Sequence, residues 1–294
     1  MMRYLKSLCL IQLVLVMIIS ACGPDKTTSA PIQPAASPIS KPTEPIQQEE
    51  PSFAPTEPGE KEEAPDILPP APQKIEFQAS DGTTLQGTYY PAGTKGAPIV
   101  VLMHWARGDQ TDWIGYAQWM QNRGLLTEAL PVPDMPENVT LAAFTFDFRG
   151  FESGGRPPFD PEGWLLDALA AVETARGLPG VDPSQVVTIG ASIGSDGAVD
   201  ACGEGCKGAL SLSPGGYLGV PYAQGVESMG ARPVWCLAAE GDAESAPTCR
   251  SASGEQYRLI IYPGSAHGMD LLTPGLDPDT GQVMFDFLKL VLDL

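Results

Sequence analysis

Along residues 74–294, segments with the hydrophobic pattern of β-strands are followed by segments with the hydrophobic spacing of α-helices. Residues 74–91 alternate polar with apolar positions around Asp81-Gly82, which predicts a β-hairpin. Short apolar runs, typical of buried parallel strands, occupy residues 98–105, 141–148, 185–190, 208–213, 233–240 and 257–262. Together these patterns predict about eight strands.

Segments with helical spacing separate several of these strands. Within residues 161–177, Leu165, Leu169 and Val172 recur on one face of a helix. Further helices are predicted at residues 112–122, from about residue 194, and at 279–294. Strands that alternate with helices predict an α/β fold, in which helices cover both faces of a mostly parallel sheet.

The first residues have the composition of an export signal. Arg3 and Lys6 precede an apolar run of twelve residues, 8–19. Such a run is too short to span a bilayer as a lone helix, and it matches the apolar region of a secretory signal. We therefore expect residues 1–21 to be a signal peptide.

The apolar run ends in I-S-A-C at residues 19–22, which resembles the lipobox of bacterial lipoproteins. In a lipobox, small residues expose the bond before a cysteine that is lipidated and becomes the new N-terminus. The resemblance implies a lipid on Cys22 and a protein anchored to the outer face of the bacterial cytoplasmic membrane. A plain signal peptide with an incidental cysteine and an uncleaved anchor are the alternatives.

Residues 22–73 are predicted to form a tether. Thirteen of the 30 prolines fall in this segment, together with nine acidic and three basic residues. A segment with so few large apolar residues cannot form a core, and the acidic residues favour an extended, solvated chain. The remaining 221 residues, 74–294, suit one large domain.

The charge of the chain argues against one class of partner. There are 36 acidic and 17 basic residues, and the net charge is −19, of which −15 belongs to residues 74–294. No basic patch interrupts this acidic excess, so we expect no nucleic-acid binding. An acidic surface also repels anionic lipid, so any attachment to a bilayer has to come from elsewhere.

The cysteines indicate an oxidising compartment. With Cys9 in the signal and Cys22 lipidated, the domain keeps Cys202, Cys206, Cys236 and Cys249. Four cysteines allow three disulfide connectivities, and we favour the pairing of sequence neighbours because these partners are locally close. A zinc site is the alternative, although these spacings differ from the usual knuckles and an exported domain favours disulfides.

The motif G-A-S-I-G at residues 190–194 lies between an apolar strand and a helix. This context is that of a nucleophile elbow, a strand-to-helix turn so sharp that its central residue is strained and exposed. Gly190 and Gly194 lack the Cβ atoms that would collide across the turn, and Ser192 becomes the candidate nucleophile. A plain Gly/Ser turn between strand and helix is the alternative interpretation.

A serine hydroxyl needs a base to take its proton, and histidine is the usual one. His267 follows the last strand in a loop at the edge of the sheet where Ser192 is expected. The acid that orients a neutral imidazole should follow strand 233–240. Asp242 is our choice there, with Glu240 and Glu244 as rivals.

The order Ser192, Asp242, His267 is that of the α/β-hydrolase family, which residues 74–294 resemble. H-W-A-R-G-D at residues 104–109 is similar to the H-G-x-G-G oxyanion loop of that family. The resemblance implies an oxyanion hole built from the backbone N–H groups of Ala106 and Ile193. Trp105 replaces a family glycine and is either itself a donor or a wall of the acyl pocket, while His104 braces the loop.

Two further segments bear on this resemblance. D-F-R-G-F-E-S at residues 147–153 resembles the structural motif D-x-R-G-x-G-x-S of the family. Residues 214–232 are too few for a cap domain, so the uncapped chain looks most like the dienelactone-hydrolase and esterase branch. The Pro-rich insertion at residues 125–140 either borders the pocket or packs on the surface.

The resemblance implies an α/β-hydrolase fold without a large cap domain and a serine hydrolase that cleaves small-molecule esters through an acyl-enzyme. A serine peptidase of the same fold and a non-catalytic binding lipoprotein are the alternatives. No cofactor is required, and we expect a monomer. D-P-D-T-G at residues 277–281 hints at a calcium loop, but helix capping by Asp279 or Thr280 is favoured and no metal is expected.

Overall fold

A computed structural model of the chain describes residues 67–126 and 129–294. The predicted signal peptide, Cys22 and most of the predicted tether lie outside these residues. Within the described ranges, no helix combines the length and the apolar character needed to cross a membrane.

The described residues contain a sheet of eight strands. The strands are β1 (Gln73–Gln78), β2 (Thr84–Tyr90), β3 (Ala97–Met103), β4 (Ala142–Phe146), β5 (Val181–Ala191), β6 (Cys206–Leu212), β7 (Val234–Ala239) and β8 (Tyr257–Tyr262). They lie in the order β1-β2-β4-β3-β5-β6-β7-β8. Strand β2 is antiparallel to both neighbours, and every other adjacent pair is parallel. The predicted eight-stranded, mostly parallel sheet is confirmed.

Six α-helices accompany the sheet in the described part of the chain. They are α1 (Ile114–Gln121), α2 (Pro161–Arg176), α3 (Ile193–Asp200), α4 (Tyr222–Ser228), α5 (Ser245–Ser251) and α6 (Thr280–Leu292). Asp279 caps α6, because its side chain accepts a hydrogen bond from the Gln282 N–H at 3.0 Å. Helices α4 and α5 were not predicted, since two turns are too short to show a helical period.

The first face of the sheet buries one hydrophobic cluster, and the second face buries two. Along β3, Val100 and Leu102 belong to the cluster of the first face, while Ile99, Val101 and Met103 belong to a cluster of the second. This division follows from the alternation of side chains along a strand. Helices α1 and α6 cover the first face and α2 covers the second, so helices lie on both faces as predicted.

The insertion at residues 125–140 packs on the first face over the part that the structure describes. Trp119 on α1 donates its indole N–H to the Pro133 carbonyl at 2.8 Å. A Cβ at Gly281 would lie 1.7 Å from the Pro131 carbonyl oxygen, so the insertion also touches the start of α6. Met135 is buried in the cluster there. These contacts correspond to the surface-packing alternative.

Ordered contacts begin before residue 74, where the sequence placed the start of the domain. Arg123 donates to the Leu68 carbonyl at 2.7 Å. The buried Gln121 amide donates to the carbonyls of Pro70 and Pro91 at 2.8 and 2.7 Å. The last residues of the predicted tether are therefore held against the end of α1 by side chains of the domain.

The described residues contain two disulfides, Cys202–Cys206 and Cys236–Cys249. This is the pairing of sequence neighbours that the spacing favoured. The first closes the connection from α3 to β6, and the second joins β7 to α5. Asp242 lies between the two cysteines of the second disulfide, which therefore clamps the segment that carries the candidate acid.

Removing the Cys236–Cys249 disulfide by substituting both residues with alanine should lower the free energy of unfolding by about 3 kcal/mol, because the cross-link restricts the unfolded chain. The matched control is the Cys202→Ala/Cys206→Ala pair. The Cys202–Cys206 disulfide closes a shorter loop, of sequence separation 4 against 13, so its loss should lower the free energy of unfolding by about 2 kcal/mol. Urea unfolding measures both. A larger loss for the shorter loop would contradict this account.

Candidate active site

The strand-to-helix turn at Ser192 has the geometry of an elbow. Strand β5 ends at Ala191 and α3 begins at Ile193, so Ser192 is the single residue between them. Its φ of 51° lies in the left-handed region that residues other than glycine seldom adopt. The Ser192 N–H donates to the Leu212 carbonyl at 2.8 Å, which joins the elbow to the end of β6.

Gly190 and Gly194 permit this turn because neither position has room for a side chain. A Cβ at Gly190 would lie 1.9 Å from the carbonyl oxygen of Gly194. A Cβ at Gly194 would lie 2.4 Å from the carbonyl oxygen of Met103 at the end of β3. Both obstacles are backbone atoms, which cannot move aside as a flexible side chain could.

Gly190→Ala is expected to lower the free energy of unfolding by more than about 3 kcal/mol, since the new methyl group forces backbone apart inside a packed sheet. Activity should fall with it, because the elbow that carries Ser192 is displaced. Gly254→Ala is the control: its nearest neighbour would be 3.6 Å away, an ordinary contact. Thermal unfolding compares the two, and equal melting temperatures would contradict the close approach.

Three predicted side chains meet above the ends of β5, β7 and β8. His267 Nε2 lies 2.9 Å from Ser192 Oγ, and His267 Nδ1 lies 2.6 Å from Asp242 Oδ2. The three residues are far apart in sequence and come together because parallel strands end at the same edge of the sheet. The hydroxyl, imidazole and carboxylate form a continuous hydrogen-bonded chain.

Of the three candidate carboxylates, Asp242 is the one that contacts His267. Glu240 instead forms an ion pair with Arg250 of α5. Glu244 lies at the N-cap position of α5, and its side chain accepts no capping hydrogen bond there. Asp242 is therefore the candidate carboxylate that the structure places beside His267.

The surroundings of Asp242 favour its ionised form. Burial alone would raise its pKa, but hydrogen bonds from His267 and from the Ser245 N–H outweigh burial and hold the pKa below its usual value. The side chains of Asp242 and His267 are 9% and 23% exposed. An ionised Asp242 accepts a hydrogen bond from the Nδ1–H of His267, which leaves Nε2 of His267 free to accept the Ser192 hydroxyl proton.

His104 is engaged elsewhere and has neither nitrogen available. The Phe148 N–H donates to its Nε2 at 3.0 Å, so the proton sits on Nδ1, which donates to the Trp105 carbonyl at 2.7 Å. Burial lowers the pKa of His104, and the ring is neutral. It braces the loop after β3 against the loop after β4, as the sequence predicted.

The loops that carry the predicted oxyanion donors leave the sheet at adjoining positions. Met103, the last residue of β3, pairs with Gly190 of β5, so the loops that carry Ala106 and Ile193 leave the same edge. Ile193 is the first residue of α3, and the first N–H groups of a helix have no partner within it. Both its free N–H and the positive end of the helix favour negative charge beside Ser192.

Trp105 lies between the oxyanion loop and the histidine loop. Its indole N–H donates to Asp112 Oδ2 at 2.9 Å. A Cβ at Gly268, the residue after His267, would lie 2.8 Å from the Trp105 ring. The Trp105 side chain therefore borders the loop that carries His267.

Asp196 was missed by the sequence analysis. It lies four residues after Ser192 on α3, is 1% exposed, and accepts hydrogen bonds from the N–H groups of Gly215, Gly216 and Tyr217 at 3.2, 3.0 and 3.0 Å. Burial raises its pKa to about 6, against the lowering effect of these three donors. Asp196 fastens the loop after β6 to the elbow helix, a contact that no local sequence signal reveals.

Comparison with curated proteins finds similarity to two proteins described as uncharacterized. No protein-family model matches the chain. The uncharacterized protein YfhR of Escherichia coli is 32% identical over 136 residues, 45% of this chain and 42% of YfhR. The uncharacterized protein Rv2307c of Mycobacterium tuberculosis is 27% identical over 251 residues, 76% of this chain and 80% of Rv2307c. The chain thus spans less than half the length of YfhR.

Solved structures show the fold class directly. The α/β hydrolase GrgF from Penicillium sp. sh18 has a TM-score of 0.56 at 16% identity, over 77% of this chain and all of GrgF. The Pyrococcus furiosus esterase Pf2001 has a TM-score of 0.55 at 15% identity, over 76% and 91% of the two chains. A dienelactone hydrolase from Anabaena variabilis has a TM-score of 0.54 at 16% identity, over 75% and 98%. The chain has the α/β-hydrolase fold.

Proposed function

We propose that the protein is a serine hydrolase that cleaves carboxylic esters of small molecules. The observation that carries the proposal is the hydrogen-bonded chain from Ser192 Oγ through His267 to Asp242. An esterase and a dienelactone hydrolase among the solved structures of this fold support the ester as substrate class. A net charge of −15 on residues 74–294 disfavours strongly anionic substrates.

In the proposed mechanism, His267 Nε2 takes the proton of Ser192 as Oγ attacks the ester carbonyl. Asp242 stabilises the imidazolium that forms. The N–H of Ile193 and one N–H of the 105–106 segment stabilise the tetrahedral oxyanion, each worth about 3 kcal/mol of the barrier. His267 then protonates the leaving alcohol, and an acyl-Ser192 intermediate remains.

Deacylation follows the same path in reverse with water as nucleophile. His267 takes a proton from the water, which attacks the acyl carbonyl, and the same N–H groups receive the second oxyanion. The collapse of this intermediate returns the proton to Ser192 Oγ and releases the carboxylic acid. This chain needs no cofactor for either half-reaction.

Turnover of an ester series tests the proposed function. We expect wild-type protein to hydrolyse p-nitrophenyl esters from acetate to octanoate with saturable kinetics, and to be much slower on peptide p-nitroanilides. Faster cleavage of the anilides would favour the peptidase alternative. No hydrolysis of either series, with no labelling by a fluorophosphonate, would favour the non-catalytic binding lipoprotein.

We also propose that the enzyme is exported and held on the outer face of the cytoplasmic membrane by lipid on Cys22. Cys22→Ser is expected to move the protein from the membrane fraction to the soluble fraction, because the lipid on Cys22 supplies the attachment and the acidic domain supplies none. Fractionation followed by immunoblotting measures the shift, with Cys9→Ser as the matched control. Retention of the Cys22 variant in membranes would contradict the lipobox.

A further inference from the structure

Ser213, directly after β6, has an unusual backbone conformation. Its φ is 62° and its side chain is fully buried. Among described residues other than glycine, positive φ also occurs at Asn122 and Asp293, which are C-caps of α1 and α6, and at Ser192 of the elbow. Ser213 ends no helix, so helix termination does not account for its conformation.

Contacts of Ser213 reach the histidine loop. Its Oγ accepts a hydrogen bond from the buried N–H of Gly268 at 3.0 Å, and Gly268 directly follows His267. Its own N–H donates to the Leu237 carbonyl of β7 at 2.8 Å. The preceding residue, Leu212, accepts from the Ser192 N–H. One short segment after β6 therefore contacts the elbow, β7 and the histidine loop.

We propose that Ser213 is a positioning residue that holds His267 at hydrogen-bonding distance from Ser192. This inference rests on the proposed serine hydrolase function. A glycine would adopt this φ without steric cost, so the serine retains a strained conformation for the sake of its hydroxyl. That hydroxyl holds the Gly268 N–H on one side, while the Trp105 ring packs against Gly268 on the other.

Three substitutions separate the hydroxyl from backbone strain. Ser213→Ala and Ser213→Gly both remove the acceptor, and only the glycine variant relieves the left-handed strain. We expect both to lower kcat on p-nitrophenyl acetate about tenfold, because a base displaced by a fraction of an ångström loses its alignment. KM should stay within about twofold, because the buried Ser213 acts on the position of the histidine loop and not on substrate binding.

Stability should follow a different order from activity. Ser213→Gly should melt at a higher temperature than Ser213→Ala, because glycine tolerates positive φ. Ser213→Thr keeps the hydroxyl and should retain more kcat than either, although a β-branched residue at this φ makes it the least stable. Should the threonine variant fail to fold, the alanine and glycine pair still decides the question.

Two results would overturn the role of Ser213. One is wild-type kcat in both Ser213→Ala and Ser213→Gly, and the other is a loss of kcat that follows melting temperature, with the glycine variant close to wild type. Failure of the underlying function gives a different result: wild-type protein itself would then neither hydrolyse esters nor react with a fluorophosphonate.

Discussion

Ser192→Ala is expected to lower kcat/KM for p-nitrophenyl esters by about 10⁶-fold, since loss of the nucleophile removes the covalent route altogether. The substitution deletes one oxygen in a buried turn, so the fold should persist and circular dichroism should be unchanged. Stopped-flow or long-time absorbance at the p-nitrophenolate band measures the residual rate.

Ser195→Ala is the matched control for this prediction. Ser195 lies one turn further along α3, fully buried, and its Oγ donates to the Ser192 carbonyl at 2.5 Å and not to His267. Its loss should change kcat/KM by less than about tenfold, as expected for one local hydrogen bond. Comparable losses in both variants would show that the elbow acts through its structure and not through the Ser192 hydroxyl.

Asp242→Asn is the second large effect, with an expected loss of about 10⁴-fold in kcat. An asparagine amide that donates to Nδ1 of His267 would leave the proton on Nε2, where it blocks acceptance of the Ser192 proton. The volume of the side chain is kept, so KM should change little.

The rival carboxylates supply the controls for Asp242. Glu240→Gln breaks an exposed ion pair with Arg250, and exposed pairs contribute about 1 kcal/mol or less to stability. Glu244→Gln alters a side chain with no capping bond. Both should keep kcat within about twofold. A large loss in either, with an active Asp242→Asn, would assign the acid to the other residue.

Much of the fold could be predicted because buried parallel strands have a strong local signature. The run at residues 98–105 contains Ile99 to Met103, which are almost wholly buried in β3. Helix α5 shows the opposite case: its seven residues include Pro247 and a disulfide cysteine, and neither gives a helical pattern. Tertiary contacts, more than local preference, determine such short helices.

The candidate site also contains some residues that the sequence predicts and others that it does not. Ser192 and His267 stand out because the elbow is a compact motif and the chain has two histidines. Asp196 and Ser213 could not be predicted, because their partners lie about 20 and 55 residues away on other loops. Trp105 borders Gly268 of the histidine loop, a contact between distant segments that no local pattern shows. Local motifs identify the candidate reacting residues. The residues that position them can be found only when it is known which strand ends lie side by side in the fold.

The most direct test of the central claim is mass mapping of the serine that reacts covalently. Wild-type protein treated with a fluorophosphonate should gain one phosphonyl group, and peptide sequencing by mass spectrometry should place it on Ser192. His267→Ala should react far more slowly, because Ser192 then lacks its base. Modification at another residue, or equal labelling of Ser192→Ala, would contradict the assignment of Ser192 as the nucleophile.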